Sequence, residues 1–182
     1  MTDLGSTLLT LARNAIASHF GAAGKAADDD PELQKTGAVF VTLTQHGQLR
    51  GCIGSLQAWR PLAEDVAQNA LGAAFRDPRF DPLSADELPI TRVEVSLLTP
   101  PEPMSFNSEA DALAQLCPEI DGVIFFAGQR RATFLPQVWE QLPEPATFMA
   151  HLKQKAGLPA NYWGPDVRLE RYHVKKWKEA AP

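Results

Sequence analysis

Residues 49–54 read Leu-Arg-Gly-Cys-Ile-Gly and set a guanidinium two positions from a thiol. Alternate side chains of an extended strand share a face, so Arg50 and Cys52 are expected to project together while Leu49 and Ile53 turn toward the core. A neighbouring cation favours the thiolate, which is the nucleophilic form of cysteine. Gly51 and Gly54 would weaken a strand, and their presence predicts close approach of a ligand or of another backbone segment. The chemistry available is reaction at Cys52 on an anion held by Arg50. Against it stands a plain structural alternative: a free cysteine often packs as a small hydrophobe, and an arginine on a wet strand face serves solubility.

Placing these two groups requires a hairpin. Val39, Val41 and Leu43 alternate into one face, the polar Thr-Gln-His-Gly-Gln segment supplies a turn with Gly47 able to take positive φ, and residues 48–54 return. A helix from Pro61 to Phe75 follows, with Leu62, Val66, Ala70 and Ala73 on its buried stripe and Glu64 and Asp65 in the first turn, where the helix dipole favours negative charge. Before the hairpin, Leu4, Leu8, Leu11 and Ala15 recur at helical spacing over residues 3–20. After the second helix, Ser-Ala-Asp-Glu (84–87) is a capping box, residues 90–98 alternate as a strand, and residues 108–117 form a short helix capped by Ser108. A second hairpin is expected around Gly128, then helices over 136–142 and 144–158, and a terminal strand over 166–178 whose alternation slips between Leu169 and Tyr172. Trp59, Phe75 and Phe80 are read as packing residues, and Cys117 as structural. Hairpins interleaved with helices, without a regular βαβ rhythm, predict an α+β fold in which a mixed sheet is flanked by helices.

The 182 residues are enough for one domain with a proper core, and 45% hydrophobic with 21% charged residues is ordinary for a globular chain. A net charge of −5 opposes broad contact with a phosphate backbone, so nucleic acid is a disfavoured partner, while a local pocket for a small anion is compatible with it. No apolar run is long enough to span a bilayer and the N-terminus lacks a leader pattern, which predicts a cytoplasmic protein without a membrane partner. Cys52 and Cys117 form no Cys-x-x-Cys pair and the four histidines are scattered, so neither a metal nor a cofactor is expected.

The Leu-Arg-Gly-Cys-Ile-Gly-Ser-Leu stretch resembles the hallmark of the AMME-syndrome chromosomal-region protein family, whose prokaryotic members are called AmmeMemoRadiSam system protein A. The strand 37–43 before it, the segment 73–103 with its Asp-Pro-Arg-Phe turn and Glu-Val-Ser-Leu-Leu strand, and residues 121–143 and 148–159 resemble that family in order, so the resemblance covers most of the chain. It implies a single domain, residues 1–182, built of a larger and a smaller lobe with a cleft near the hallmark. It also implies radical-SAM and Memo-like proteins as partners in a shared pathway, and it implies no particular reaction.

Among the positions that match the family's segments, few carry chemistry. Cys52 and Glu94 are the candidate catalytic residues, with Glu94 as base or as an orienting partner of Arg50. Arg50, Asp77, Arg79, Arg131 and Thr133 are the candidate residues for a small anionic ligand, since arginine suits bidentate recognition of carboxylate or phosphate. Each has a structural alternative: Asp77 starts a turn before Pro78, Arg79 pairs with it, Glu94 pairs with an arginine. The expectation is that Arg50, Cys52, Glu94 and at least one of Arg79, Arg131 and Thr133 line a common pocket. A cysteine-dependent enzyme and a non-catalytic ligand-binding or adaptor module are the two readings that follow.

Overall fold

The computed structural model describes residues 3–27 and 29–182. Along the chain it forms α1 (Leu4–His19), β1 (Thr36–Gln45), β2 (Gln48–Gly54), β3 (Arg60–Pro61), α2 (Leu62–Phe75), β4 (Thr91–Leu98), β5 (Glu102–Pro103), α3 (Glu109–Gln115), β6 (Gly122–Ala127), β7 (Arg130–Phe134), α4 (Pro145–Lys155), β8 (Val167–Tyr172) and β9 (Val174–Lys178). Short 3-10 helices occupy Pro31–Gln34, Ala85–Ile90 and Pro136–Glu140. Helices and antiparallel strand pairs thus make an α+β fold. The chain divides into two compact units, the first reaching to Leu98 and regaining Lys175–Pro182, the second comprising Thr99–Val174.

In the first unit the sheet order is β2-β1-β4-β9, with β3 pairing the start of β1. His46 (φ 52°) and Gly47 (φ 78°) form a two-residue turn between β1 and β2. Positive φ at both positions is the conformation whose twist matches a hairpin. Val39, Val41 and Leu43 of β1 and Val93 and Val95 of β4 are buried with Leu8, Ala12 and Ile16 of α1 and Val66, Ala70 and Ala73 of α2. The period-two and period-four patterns of the sequence meet in this one apolar layer. Trp177 of β9 rests on α1 at Gly5, where a Cβ would lie 2.2 Å from the indole.

The second unit carries the sheet β5-β8-β6-β7. Val123, Phe125, Ala132 and Leu169 bury one face of it with Phe148, Met149 and Leu152 of α4, and Trp139 stacks on Phe148 at 3.7 Å between ring centroids. Two expectations change here. The stretch after Leu135 forms a 3-10 turn rather than an α-helix, because Pro136 and Pro143 bracket too few residues for regular i→i+4 bonding. The slip near Tyr172 is a break at His173, where one strand ends and the next begins in the other sheet.

Candidate functional site: the edge strand around Cys52

β2 is an edge strand, and it carries a β-bulge. Leu43 faces Gly51 and Thr44 faces Leu49, which leaves Arg50 as the extra residue. The bulge breaks the alternation expected from the sequence. Leu49 stands opposite Thr44, on the same face as the Thr42–Cys52 pair, and is 44% exposed instead of buried. Arg50 no longer shares that face by strand count. Its guanidinium turns to Glu87, with Nε–Oε2 at 2.8 Å and Nη2–Oε1 at 3.2 Å, and also donates to the Asp81 carbonyl. This bidentate pair, helped by Gln45 and the Ser84 cap, brings the Glu87 carboxyl down to about 2. Nη1 of Arg50 is buried and has no hydrogen-bond partner among the described residues.

The two glycines are accounted for by the protein's own atoms. A Cβ on Gly51 would lie 2.1 Å from the carbonyl oxygen of Ala73, so α2 packs its backbone directly against β2. A Cβ on Gly54 would lie 2.2 Å from the ring of Phe40, its cross-strand neighbour. Of the two explanations open from the sequence, close packing is the one realised.

Asp77 and Arg79 complete the edge. Asp77, buried, accepts the Cys52 N–H at 2.9 Å, and Arg79 reaches the Cys52 carbonyl at 3.4 Å. Arg79 also holds Asp77 through Nε–Oδ1 and Nη2–Oδ2 contacts of 3.0 and 2.8 Å. The Arg79 guanidinium, and after it the Cys52 N–H, keep the Asp77 carboxyl far below the usual carboxylate range. An aspartate–arginine pair therefore supplies the acceptor and donor that a further strand would have offered. Arg50 and Arg79, both expected to hold an anion, are each matched to a carboxylate of the chain itself.

The Cys52 thiol is half-buried and sits 3.3 Å from the Thr42 hydroxyl. Glu94 stands on the far side of Thr42, since Thr42 faces Cys52 on one strand and Glu94 on the other. Cys52 and Glu94 thus share a sheet face but are two strand spacings apart, about 10 Å between backbones. The Glu94 carboxylate is near Lys178 (3.5 Å) and Lys176 (3.9 Å) rather than an arginine. Among the described residues no group of three or more His, Cys, Asp and Glu is arranged to hold a metal ion.

Sequence reasoning missed the strongest polar centre of this unit. Asp65, assigned above to the helix dipole, is 0% exposed and accepts from Val39 N–H (2.9 Å), Ser55 Oγ (2.6 Å), Arg60 Nε (2.7 Å) and Asn69 Nδ2 (3.1 Å). It ties both ends of the loop that leaves β2. Trp59 in that loop is not a packing residue: it is 67% exposed, with the Arg60 guanidinium 4.6 Å from its ring centroid, and Leu56 is exposed beside it. The sequence signal was an aromatic–arginine pair between a serine and a helix-start aspartate, which propensity alone does not distinguish from an ordinary turn.

A family model named AMMECR1 matches residues 9–177. The chain belongs to the AMMECR1 family. A protein from Methanothermobacter thermautotrophicus is 39% identical over 97% of this chain and 95% of that protein. One from Methanopyrus kandleri is 33% identical over 98% of this chain and 89% of that protein. The crystal structure of the uncharacterized protein PH0010 from Pyrococcus horikoshii matches with a TM-score of 0.79 at 34% identity, covering 98% of this chain and 92% of that one.

Within this AMMECR1 chain the remaining two candidates belong to the second unit. Arg131 faces Phe126 across β6–β7, its guanidinium 5.4 Å from the ring centroid. Thr133 is buried and hydrogen-bonded to the Tyr172 hydroxyl at 3.0 Å. Among the described residues no helix is long and apolar enough to cross a membrane.

Proposed function

We propose that this AMMECR1 chain is a non-catalytic binding module that docks a partner protein through the loop following β2. The observation behind the reading is Trp59, exposed on a loop whose two ends are fixed to a fully buried aspartate. Tryptophan and arginine are the side chains most often found at the energetic centre of interfaces, and a fixed loop loses little freedom on binding. The radical-SAM and Memo-like proteins implied by the resemblance are the partners to try. With each as bait, co-purification should be lost on Trp59→Ala and retained on Cys52→Ser. Retention by Trp59→Ala with loss on Cys52→Ser would sink the docking loop.

A second reading, a cysteine-dependent enzyme acting on a small anion, keeps support from the buried, unpartnered Nη1 of Arg50 and from a half-exposed thiol whose backbone is held on both sides. Among the described residues the hydrogen-bond partner of the Cys52 thiol is the Thr42 hydroxyl, and the nearby Asp77 carboxylate is taken up by Arg79 and the Cys52 N–H. Alkylation of Cys52 measured against pH separates the two: a rate midpoint well below that of an ordinary thiol supports the enzyme.

A further inference from the structure

The second unit contains a cavity of about 560 Å³ beside the free end of β8. β5 pairs β8 only at Glu102–Arg171 and Pro103–Glu170, with one more backbone bond from Met104 to Leu169. Beyond Met104 the chain swings away, and the gap is closed on the other side by residues 163–165. Two properties of its walls distinguish it from a surface dent.

The apolar wall is built in advance. Phe106 and Trp163 meet at 5.5 Å between centroids, and both pack against the core of the unit. The Nζ of Lys153 lies 5.4 Å from the Trp163 ring. That lysine is 1% exposed and is held by Glu109. A buried ammonium paired in this way fixes the indole in place, because moving it would leave the charge without its surroundings.

The charged wall is unmatched. Arg168 and Glu170 alternate on β8 and both line the cavity. Glu170 is half-buried, yet no side-chain hydrogen bond or ion pair involves it among the described residues. Arg168 lies 4.7 Å over the Phe126 ring, a contact that leaves the guanidinium edge able to donate. The two residues are about 7 Å apart along the strand. Arg168 is exposed and the Glu170 carboxylate is reached by water, so both charges stand at the rim where a ligand would meet them.

We infer that this cavity binds a small zwitterion with an apolar side chain, the chemistry shared by a free amino acid and a short peptide. Glu170 takes the ammonium, Arg168 takes the carboxylate, and the side chain lies against Phe106 and Trp163. The volume falls in the range of small-molecule sites, and the combination of an apolar wall with a few polar anchors is their usual make-up. This site is independent of the docking loop and stands or falls without it.

Calorimetric titration of the full chain tests it with L-phenylalanine, the dipeptide L-phenylalanyl-L-alanine, and uncharged N-acetyl-L-phenylalaninamide. Saturable binding of either zwitterion but not of the uncharged amide is expected. Preference for one of the two identifies the source. Glu170→Gln and Arg168→Gln should each weaken binding by roughly tenfold or more, as loss of a charge-assisted hydrogen bond does, while circular dichroism stays unchanged. Absence of binding up to about 10 mM, where even weak small-ligand sites fill, overturns the inference. Equal binding of the amide, or binding indifferent to both substitutions, overturns it as well.

Discussion

The edge of the first sheet and the rim of the second unit's cavity treat charge in opposite ways. At the edge, Arg50 is matched to Glu87 and Arg79 to Asp77, and both carboxylates also receive further donors. At the rim, Arg168 and Glu170 are two residues apart on one strand and neither has an ion pair among the described residues. Conspicuous arginines are therefore not by themselves a mark of ligand binding. In the first region they stand in for backbone partners that an edge strand lacks. In the second, Arg168 lies over the Phe126 ring and Glu170 faces water, which leaves both charges open to a ligand.

The contrast can be broken by measuring what each charge does for stability. Asp65→Ala should give the largest loss, about 3–5 kcal/mol in urea denaturation, because it strands a partly buried arginine and three other donors. Gly51→Ala should follow at about 2–3 kcal/mol, since a methyl 2.1 Å from the Ala73 carbonyl oxygen forces α2 away from β2. A methyl tolerated there would mean that α2 can move without cost.

The Arg50–Glu87 pair gives a smaller effect with a defined pH course. Glu87 titrates at about 2 in the folded chain against 4.5 ordinarily, so the pair's contribution is fully present above 4.5 and is lost as pH falls through about 2. Arg50→Gln should thus be destabilising near neutrality, and the gap between its urea midpoint and that of the wild type should close toward pH 2. A gap that stays constant with pH would assign the effect to packing of the arginine stem. Smallest of all, Arg168→Gln and Glu170→Gln should each shift stability by no more than about 0.5 kcal/mol, as substitutions of solvent-reached side chains without an ion pair do. A loss of several times that from either would make the rim a structural pair after all and erase the comparison.

Much of this was legible in the sequence, for identifiable reasons. The hairpin, α2 and β4 announce themselves because their apolar periods persist over whole elements and no side-chain contact has to be known to see them. The Ser84–Glu87 capping box was also readable, and the structure shows both of its hydrogen bonds. What could not be read was anything fixed by one extra residue or one distant partner. The bulge at Arg50 reverses where Leu49 points, and periodicity carries no signal for it. The placing of Asp65 depends on Val39, Ser55 and Arg60 meeting in space, whereas its position in the first helical turn already had a sufficient local explanation. Cys52 and Glu94 were correctly given to polar strand faces, but the intervening strand was invisible until register was known.

The break at His173 has a consequence for how the molecule is made. β9 completes the first sheet, yet it leaves the ribosome only after all of Thr99–Val174 has been synthesised. The second unit is a continuous segment and can close on itself as soon as it emerges, whereas β4 must wait with an open side for the last strand. Units of a chain ordinarily fold from the N-terminus onward. Here the stretch translated first is the one finished last, and a chaperone or a pause in translation would act on the nascent chain with β4 still waiting.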